Sequence, residues 1–151
     1  MTARPTADRE VPRDTHEDPD VLLELAGALK HDLGKYVAWR SANLGEAEWS
    51  GPLQPALIEA LCADLLRTRD APEGAESAAM VFARLSAQWP RPWPDELAAV
   101  AAAVATLQQL EPALHARDGA AIARARPEIR AAQATIRSQL AALVRRLASG
   151  R

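Results

Sequence analysis

The residues best suited to chemistry lie together in one short segment, between Lys30 and Asn43. Near its start is His31, which is followed by Asp32 and, one helical turn later, by Lys35. A histidine imidazole can act as a nucleophile or as a metal ligand. A neighbouring carboxylate can orient that ring, and a lysine ammonium can stabilise the charge of a phosphoryl group. We therefore take His31, Asp32 and Lys35 as the candidate catalytic residues.

The same segment differs in composition from the rest of the chain. The protein has 18 basic residues, yet Lys30 and Lys35 are its only lysines. Its single Tyr is Tyr36 and its single Asn is Asn43. Elsewhere Ala, Leu and Arg dominate. The preference for arginine over lysine is of the kind that a whole bacterial genome can show. Unusual residue types concentrated in one stretch indicate a specific demand on this segment.

Helical spacing predicts that His31 points away from the protein core. At about 100° per residue, His31 falls nearly opposite an apolar side, and small residues surround it. That apolar side consists of Leu22, Leu25, Leu29, Leu33 and Val37. The exposed face around His31 is the predicted partner-binding surface, with the members Gly27, His31, Gly34, Lys35, Ala38, Trp39 and Ala42.

The five-residue string that begins at His31, His-Asp-Leu-Gly-Lys, resembles the His-Asp signature of the HD-domain phosphohydrolases. In that all-helical family, a His, the His-Asp pair and a later Asp hold one or two metal ions, which activate water to attack a phosphate ester. The resemblance implies that His31 and Asp32 are metal ligands. It would take His16 as the upstream ligand and Asp64 or Asp95 as the downstream one. Only this alternative implies a divalent metal; otherwise we expect neither metal nor cofactor.

A second resemblance is to phosphorelay proteins. Histidine-phosphotransfer domains are small helical bundles with an exposed His that a Lys and a Gly follow within a turn; here Gly34 and Lys35 stand in the reverse order. The dimerisation helix of histidine kinases has an acidic residue and a Leu directly after its His, as Asp32 and Leu33 stand here. The resemblance implies that His31 accepts a phosphoryl group. A third interpretation is an ordinary solvated helix face whose small residues form a packing groove.

Five segments carry the start signals and the apolar spacing of helices. The first begins behind the capping residue Asp18 and is expected to reach about Asn43. The third is expected at about 73–88 and to bury Met80, Val81 and Leu85. The other three are expected to begin near Pro52 or Pro55, at Pro94, and after the Asp118-Gly119 turn.

The last two helices are predicted to form a long antiparallel hairpin. The final helix repeats its apolar residues at heptad-like intervals. These residues are Ile122, Ile129, Ile136, Leu140, Leu143 and Leu147. The fold class is therefore all-α, a bundle of four or five helices. A long seam in a chain with few large core residues also favours a homodimer, because self-association would bury further area.

Every second residue is a proline in the stretch from Trp89 to Pro94. The stretch cannot be helical, because a residue before a proline is forced towards extended geometry. Two interpretations stand open. The stretch is either a rigid connector whose Trp rings cover the end of the bundle, or a polyproline-type docking segment.

Composition restricts the class of protein. The net charge of -2 gives no general attraction to nucleic acid, and the Arg-rich last helix is expected to be a solvated face. Cys62 is the single cysteine, so an intrachain disulfide is impossible, and we expect a buried thiol in a reducing compartment. No apolar run approaches the ~20 residues of a membrane span. A cytoplasmic location without membrane contact is expected.

The sequence thus predicts an acidic, proline-containing disordered tail at 1–17 and a single helical domain at 18–151. We expect a regulatory or protein-interaction module rather than an enzyme, with a protein as its partner and the face around His31 as its working surface. The metal-dependent phosphohydrolase and the phosphotransfer protein remain as alternatives.

Overall fold

Helices account for nearly all of the regular structure. The computed structural model describes residues 18–37, 51–66 and 77–150, and within these ranges there is no strand. The α-helices are α1 (Pro19–Leu33), α2 (Pro55–Leu66), α3 (Ala78–Ser86), α4 (Asp95–His115) and α5 (Gly119–Ser149), and a 3-10 helix (Gly34–Val37) follows α1. The predicted all-α bundle is confirmed. The predicted tail at 1–17 lies outside the described residues.

Side chains that precede three helices fix where those helices begin. The Asp18 carboxylate accepts a hydrogen bond from the Asp20 N–H at 2.8 Å. Ser77 Oγ accepts one from the Met80 N–H at 3.3 Å, and Asp118 accepts one from the Ala121 N–H at 3.1 Å. Each cap satisfies a backbone donor that has no partner inside its own helix. The start signals read from the sequence therefore place α1 and α5 correctly.

The last two helices, α4 and α5, form the predicted hairpin. The two helices make the most extensive contact between any two described elements, and α1 packs against α5. The heptad-like residues of α5 are buried inside the chain from Ile122 to Leu143, and Leu147 is partly buried. Pro127 lies within a continuous α5. The seam that favoured a homodimer is therefore occupied by intrachain packing.

Three expectations about local structure are wrong: the reach of the first helix, the burial of Met80, and the start of the third helix, which begins at Ala78 behind its cap Ser77 and not near residue 73. The first helix stops at Leu33 and tightens into the 3-10 helix, so it does not continue to Asn43. The tightening accompanies burial of Tyr36 and Val37, where the Gln133 side-chain amide donates to the Tyr36 carbonyl at 3.4 Å. Met80 is 55% exposed, because the short α3 buries the face that carries Val81, Phe82 and Leu85.

The tryptophan-proline stretch packs as a connector. Trp89 is buried, and Trp93 packs on the core with its ring edge-on to Phe82, the centroids 5.7 Å apart. The Arg91 guanidinium lies 4.0 Å from the centroid of the Trp93 ring, at the distance of a cation–π contact. The rings thus cover the junction between α3 and α4, as the connector interpretation predicts.

Helix α4 has about the predicted bounds, but the expectation that no apolar run approaches a membrane span did not anticipate its overall hydropathy. It has the length and composition of a membrane-spanning helix, with an 18-residue window of mean hydropathy 1.3, of which 33% is buried in the fold. Alanines account for much of this hydropathy. Core helices of bundles meet the same criterion, and α4 contributes Leu97, Val100, Val104 and Leu107 to the core.

Candidate functional site

His31 lies in the last turn of α1 and is exposed, as its spacing predicts. The opposite side of the helix is buried through Leu25, Leu29 and Leu33. Lys30, also exposed, stands next to it, and cations near a helix C-terminus are favoured by the negative end of the dipole. The fold therefore presents an imidazole and an ammonium together on one outer corner of the bundle.

A basic side chain of the neighbouring helix α3 contacts Asp32. Arg84 of α3 approaches it, with Nη2 3.9 Å from the Asp32 Oδ2. The Asp32 side chain is 30% exposed and that of Arg84 is 49% exposed, so solvent screens this pair. The Asp32 side chain therefore lies on the side of α1 that faces α3, and the Arg84 guanidinium lies beside the predicted surface.

Two glycines leave open space beside His31. A Cβ atom added at Gly27 or Gly34 would meet nothing within 4 Å. Gly27 is exposed in the interior of α1, and Gly34 ends the helix with an ordinary right-handed conformation, φ −57° and ψ −25°. Neither glycine is required by a positive φ or by a close contact with the described chain. The prediction that small residues leave the His31 face accessible is consistent with this geometry at both positions.

The remaining predicted members of the surface are described only in part. The backbone of Lys35 belongs to the 3-10 helix that follows α1. Ala38, Trp39 and Ala42 lie outside the described residues. The structure therefore brings together Gly27, His31 and Gly34 and adds Arg84. No sequence pattern indicated Arg84, because contact between α1 and α3 depends on tertiary packing.

The HD resemblance would require further metal ligands close to His31 and Asp32. Asp64 is buried on α2, and Asp95 is exposed at the start of α4. His16 lies outside the described residues. Across residues 18–37, 51–66 and 77–150, no group of three or more His, Cys, Asp and Glu residues could hold a metal ion.

A shallow groove runs along the outer side of the α4–α5 hairpin. It has a volume of about 240 Å³. Small side chains line it, with Glu128 as the single charged one: Ala99, Ala102, Ala103, Thr106, Glu128, Ala131, Ala132 and Thr135. Such a lining offers little directional bonding, so the groove lacks the convergent polar groups of a catalytic pocket.

Cys62 is a buried thiol, as predicted. Its Sγ–H donates to the Leu114 carbonyl at 3.3 Å, and burial raises the pKa of the Cys62 thiol. A thiol is nucleophilic as its thiolate, so this environment opposes reactivity. Cys62 therefore belongs to the core and not to a nucleophilic site.

No protein-family model, curated protein or solved structure matches this chain.

Proposed function

We propose that this chain is a helical-bundle protein-interaction module and that the outer face of α1 around His31 is its binding surface. The observation that carries the proposal is Gly27. A glycine inside a helix costs about 0.5–1 kcal/mol relative to alanine. Space for a larger residue is open at Gly27, so the described fold gives no reason for a glycine there. A partner that must approach closely would supply that reason.

Shape would dominate recognition on this face. Gly27 and Gly34 leave a shallow track in which a partner helix can approach the α1 backbone. Contacts of this kind weaken steeply with separation. Bulk placed in the track should therefore reduce binding more than loss of the His31 ring.

The proposal is tested by comparing protein capture by three variants of the full chain. Gly27→Leu fills the track, and His31→Ala removes the imidazole. Ala134→Leu is the control, which places the same side chain at an exposed position of α5. We expect Gly27→Leu to lose partners that the wild type and Ala134→Leu retain, while His31→Ala weakens capture modestly. If both Gly27→Leu and His31→Ala bound the same proteins as the wild type, the α1 face would be an ordinary solvated surface and the proposal would be wrong.

Exposure of His31 also supports the phosphotransfer alternative, in which the imidazole is the nucleophile. Phosphotransfer predicts a different set of results when its residues are replaced. His31→Ala would abolish it outright, and Lys35→Ala would slow phosphoryl transfer while leaving docking intact. Retention of the cellular role by His31→Ala would exclude it.

The metal content of the purified protein distinguishes the metal-dependent phosphohydrolase alternative from the interaction module. It requires His31 and Asp32 to be ligands together with at least two further groups. Stoichiometric divalent metal in the purified wild type, lost from both His31→Ala and Asp32→Ala, would favour that enzyme over the interaction module.

A further inference from the structure

The exposed face of α1 carries acidic side chains at its N-terminal end and basic side chains at its C-terminal end. Asp20 and Glu24 occupy the N-terminal half, His31 the C-terminal half, and Gly27 lies between them. Intervals of four, three and four residues keep all four within about 60° of one another on the helix. All four are exposed, and Lys30 adds a cationic side chain at the C-terminal end.

This charge order is self-complementary for two antiparallel copies. The midpoint between positions 24 and 31 falls beside Gly27, and so does the midpoint between positions 20 and 35. At a rise of about 1.5 Å per residue, Glu24 and His31 each lie about 5 Å along the axis from that midpoint. A second α1 that crosses there in the opposite direction brings Glu24 of each copy to His31 of the other. It also brings the backbone of Asp20 level with that of Lys35.

Gly27 permits the crossing. Helices pack with their axes about 8–10 Å apart, and the lower values require small residues at the contact. Gly27 has no side chain, and a Cβ there would meet nothing within 4 Å. Ala28, the residue on the other side of the midpoint, is also small.

We propose that a second copy of this chain occupies the α1 face, with the two α1 helices antiparallel about a dyad beside Gly27. This rests on the proposed function and names its partner. Closed two-fold contacts use the same patch on both subunits, which is what a face of this charge order provides. It also relocates the homodimer contact from α5, whose apolar seam is buried within the chain.

The dimer is weak and salt-sensitive. Helix α1 has 15 residues and is therefore about 22 Å long. A single helix face of that length buries less than the roughly 1,000 Å² of total area found in stable complexes. Exposed charge pairs contribute little each and are screened by salt. Association is therefore expected at high protein concentration and low ionic strength.

The test is sedimentation equilibrium of the full chain at low salt, at up to several hundred micromolar protein. Wild type should dimerise, and the dissociation constant should rise with added salt. E24K removes the carboxylate that faces the imidazole, and H31E places two carboxylates opposite one another. Each should therefore weaken the dimer about tenfold or more. The double variant E24K/H31E exchanges the acidic and the basic side chain and should restore association. Gly27→Leu should abolish it.

Two controls lie on the outer side of the hairpin. E128K reverses an exposed charge there, and Ala131→Leu adds bulk in the alanine-lined groove. Both should dimerise like the wild type. A dimer lost in Ala131→Leu and kept in Gly27→Leu would move the contact to the groove and overturn the proposal. Failure of the double variant to recover would overturn the antiparallel pairing.

A monomeric wild type throughout this concentration range would also overturn the proposal. It would leave the proposed function standing if Gly27→Leu still lost other captured proteins. Conversely, normal dimerisation and normal capture by Gly27→Leu would remove both proposals at once.

Discussion

Gly27 and Arg117 are opposite exceptions to the usual match between residue type and backbone conformation. Gly27 is a glycine in regular helix, where alanine would cost less conformational entropy. Arg117 has a φ of 51°, a left-handed conformation that usually carries glycine. Each residue must therefore be explained by what its side chain, or the lack of one, does outside the local backbone.

At Gly27 the fold itself should gain from a side chain. We expect Gly27→Ala to raise the free energy of unfolding by about 0.5–1 kcal/mol, because alanine reduces the entropy of the unfolded chain and meets nothing in the folded one. Urea denaturation followed by circular dichroism measures this. A loss of stability would show that the position is sterically closed and would remove the main support for the α1 surface.

At Arg117 the side chain offsets the cost of its backbone. Its Nε and Nη2 donate to the Glu59 carboxylate at 3.1 and 3.3 Å, and its Nη1 donates to the Leu114 carbonyl at 3.2 Å. Both Arg117→Ala and Arg117→Gly lose these bonds, yet only glycine relieves the left-handed strain. We therefore expect Arg117→Gly to be more stable than Arg117→Ala by about 1 kcal/mol. Equal unfolding midpoints would contradict a strained backbone at this turn.

At the scale of elements, the sequence predicted what depends on repetition and local bonding. The α4–α5 hairpin follows from apolar residues at helical intervals, and the starts of α1 and α5 follow from Asp18 and Asp118. The end of α1 could not be predicted in this way, because the apolar spacing continues to Val37. Burial of Tyr36 and its bond from Gln133 depend on distant residues.

The candidate site shows the same division. Exposure of His31 follows from the spacing of apolar residues on its own helix. The contact between Asp32 and Arg84 depends on how α3 packs against α1, which a single sequence does not reveal. Side-chain position within one helix was thus predictable, and partners contributed by another helix were not.

An ion pair joins the start of α4 to the end of α5, and its strength depends on pH. Arg146 Nε and Nη2 donate to Glu96 Oε2 and Oε1, both at 2.8 Å. These hydrogen bonds hold the pKa of Glu96 below its ordinary value of 4.5. Because the folded-state pKa is the lower one, the pair contributes its full stability above the ordinary value. That contribution is lost as the pH falls through the folded-state pKa.

Glu96→Gln should therefore lower the free energy of unfolding at pH 7 by at most about 1 kcal/mol, since Arg146 is half exposed and solvent weakens the pair. The difference from wild type should shrink as the pH falls through the folded-state pKa of Glu96, because protonation removes the charge that Arg146 binds. Denaturation curves at pH 7 and near pH 2 measure it. Glu128→Gln, at an exposed position of α5, serves as the control and should show a smaller difference at pH 7.

At the scale of the whole molecule, the bundle is unevenly held together. The α4–α5 contact is the largest between described elements, whereas α2 packs mainly on α4 and on the 3-10 helix after α1. Leu61, Leu65 and Leu66 bury its inner face, and Cys62 bonds to the end of α4. Local opening occurs most readily where an element has few neighbours. We infer that α2 separates before the hairpin does.

Cys62 allows that order to be measured with the unaltered chain. A thiol reagent needs access and a thiolate, and burial of Cys62 together with its raised pKa denies it both in the closed state. Labelling under native conditions therefore reports opening of α2, and amide hydrogen exchange in α4 and α5 reports opening of the hairpin. The opening free energy from labelling should be smaller by at least about 1 kcal/mol and should depend less steeply on urea, because less surface is exposed. If both probes gave the same free energy and the same urea dependence, α2 and the hairpin would unfold as one unit.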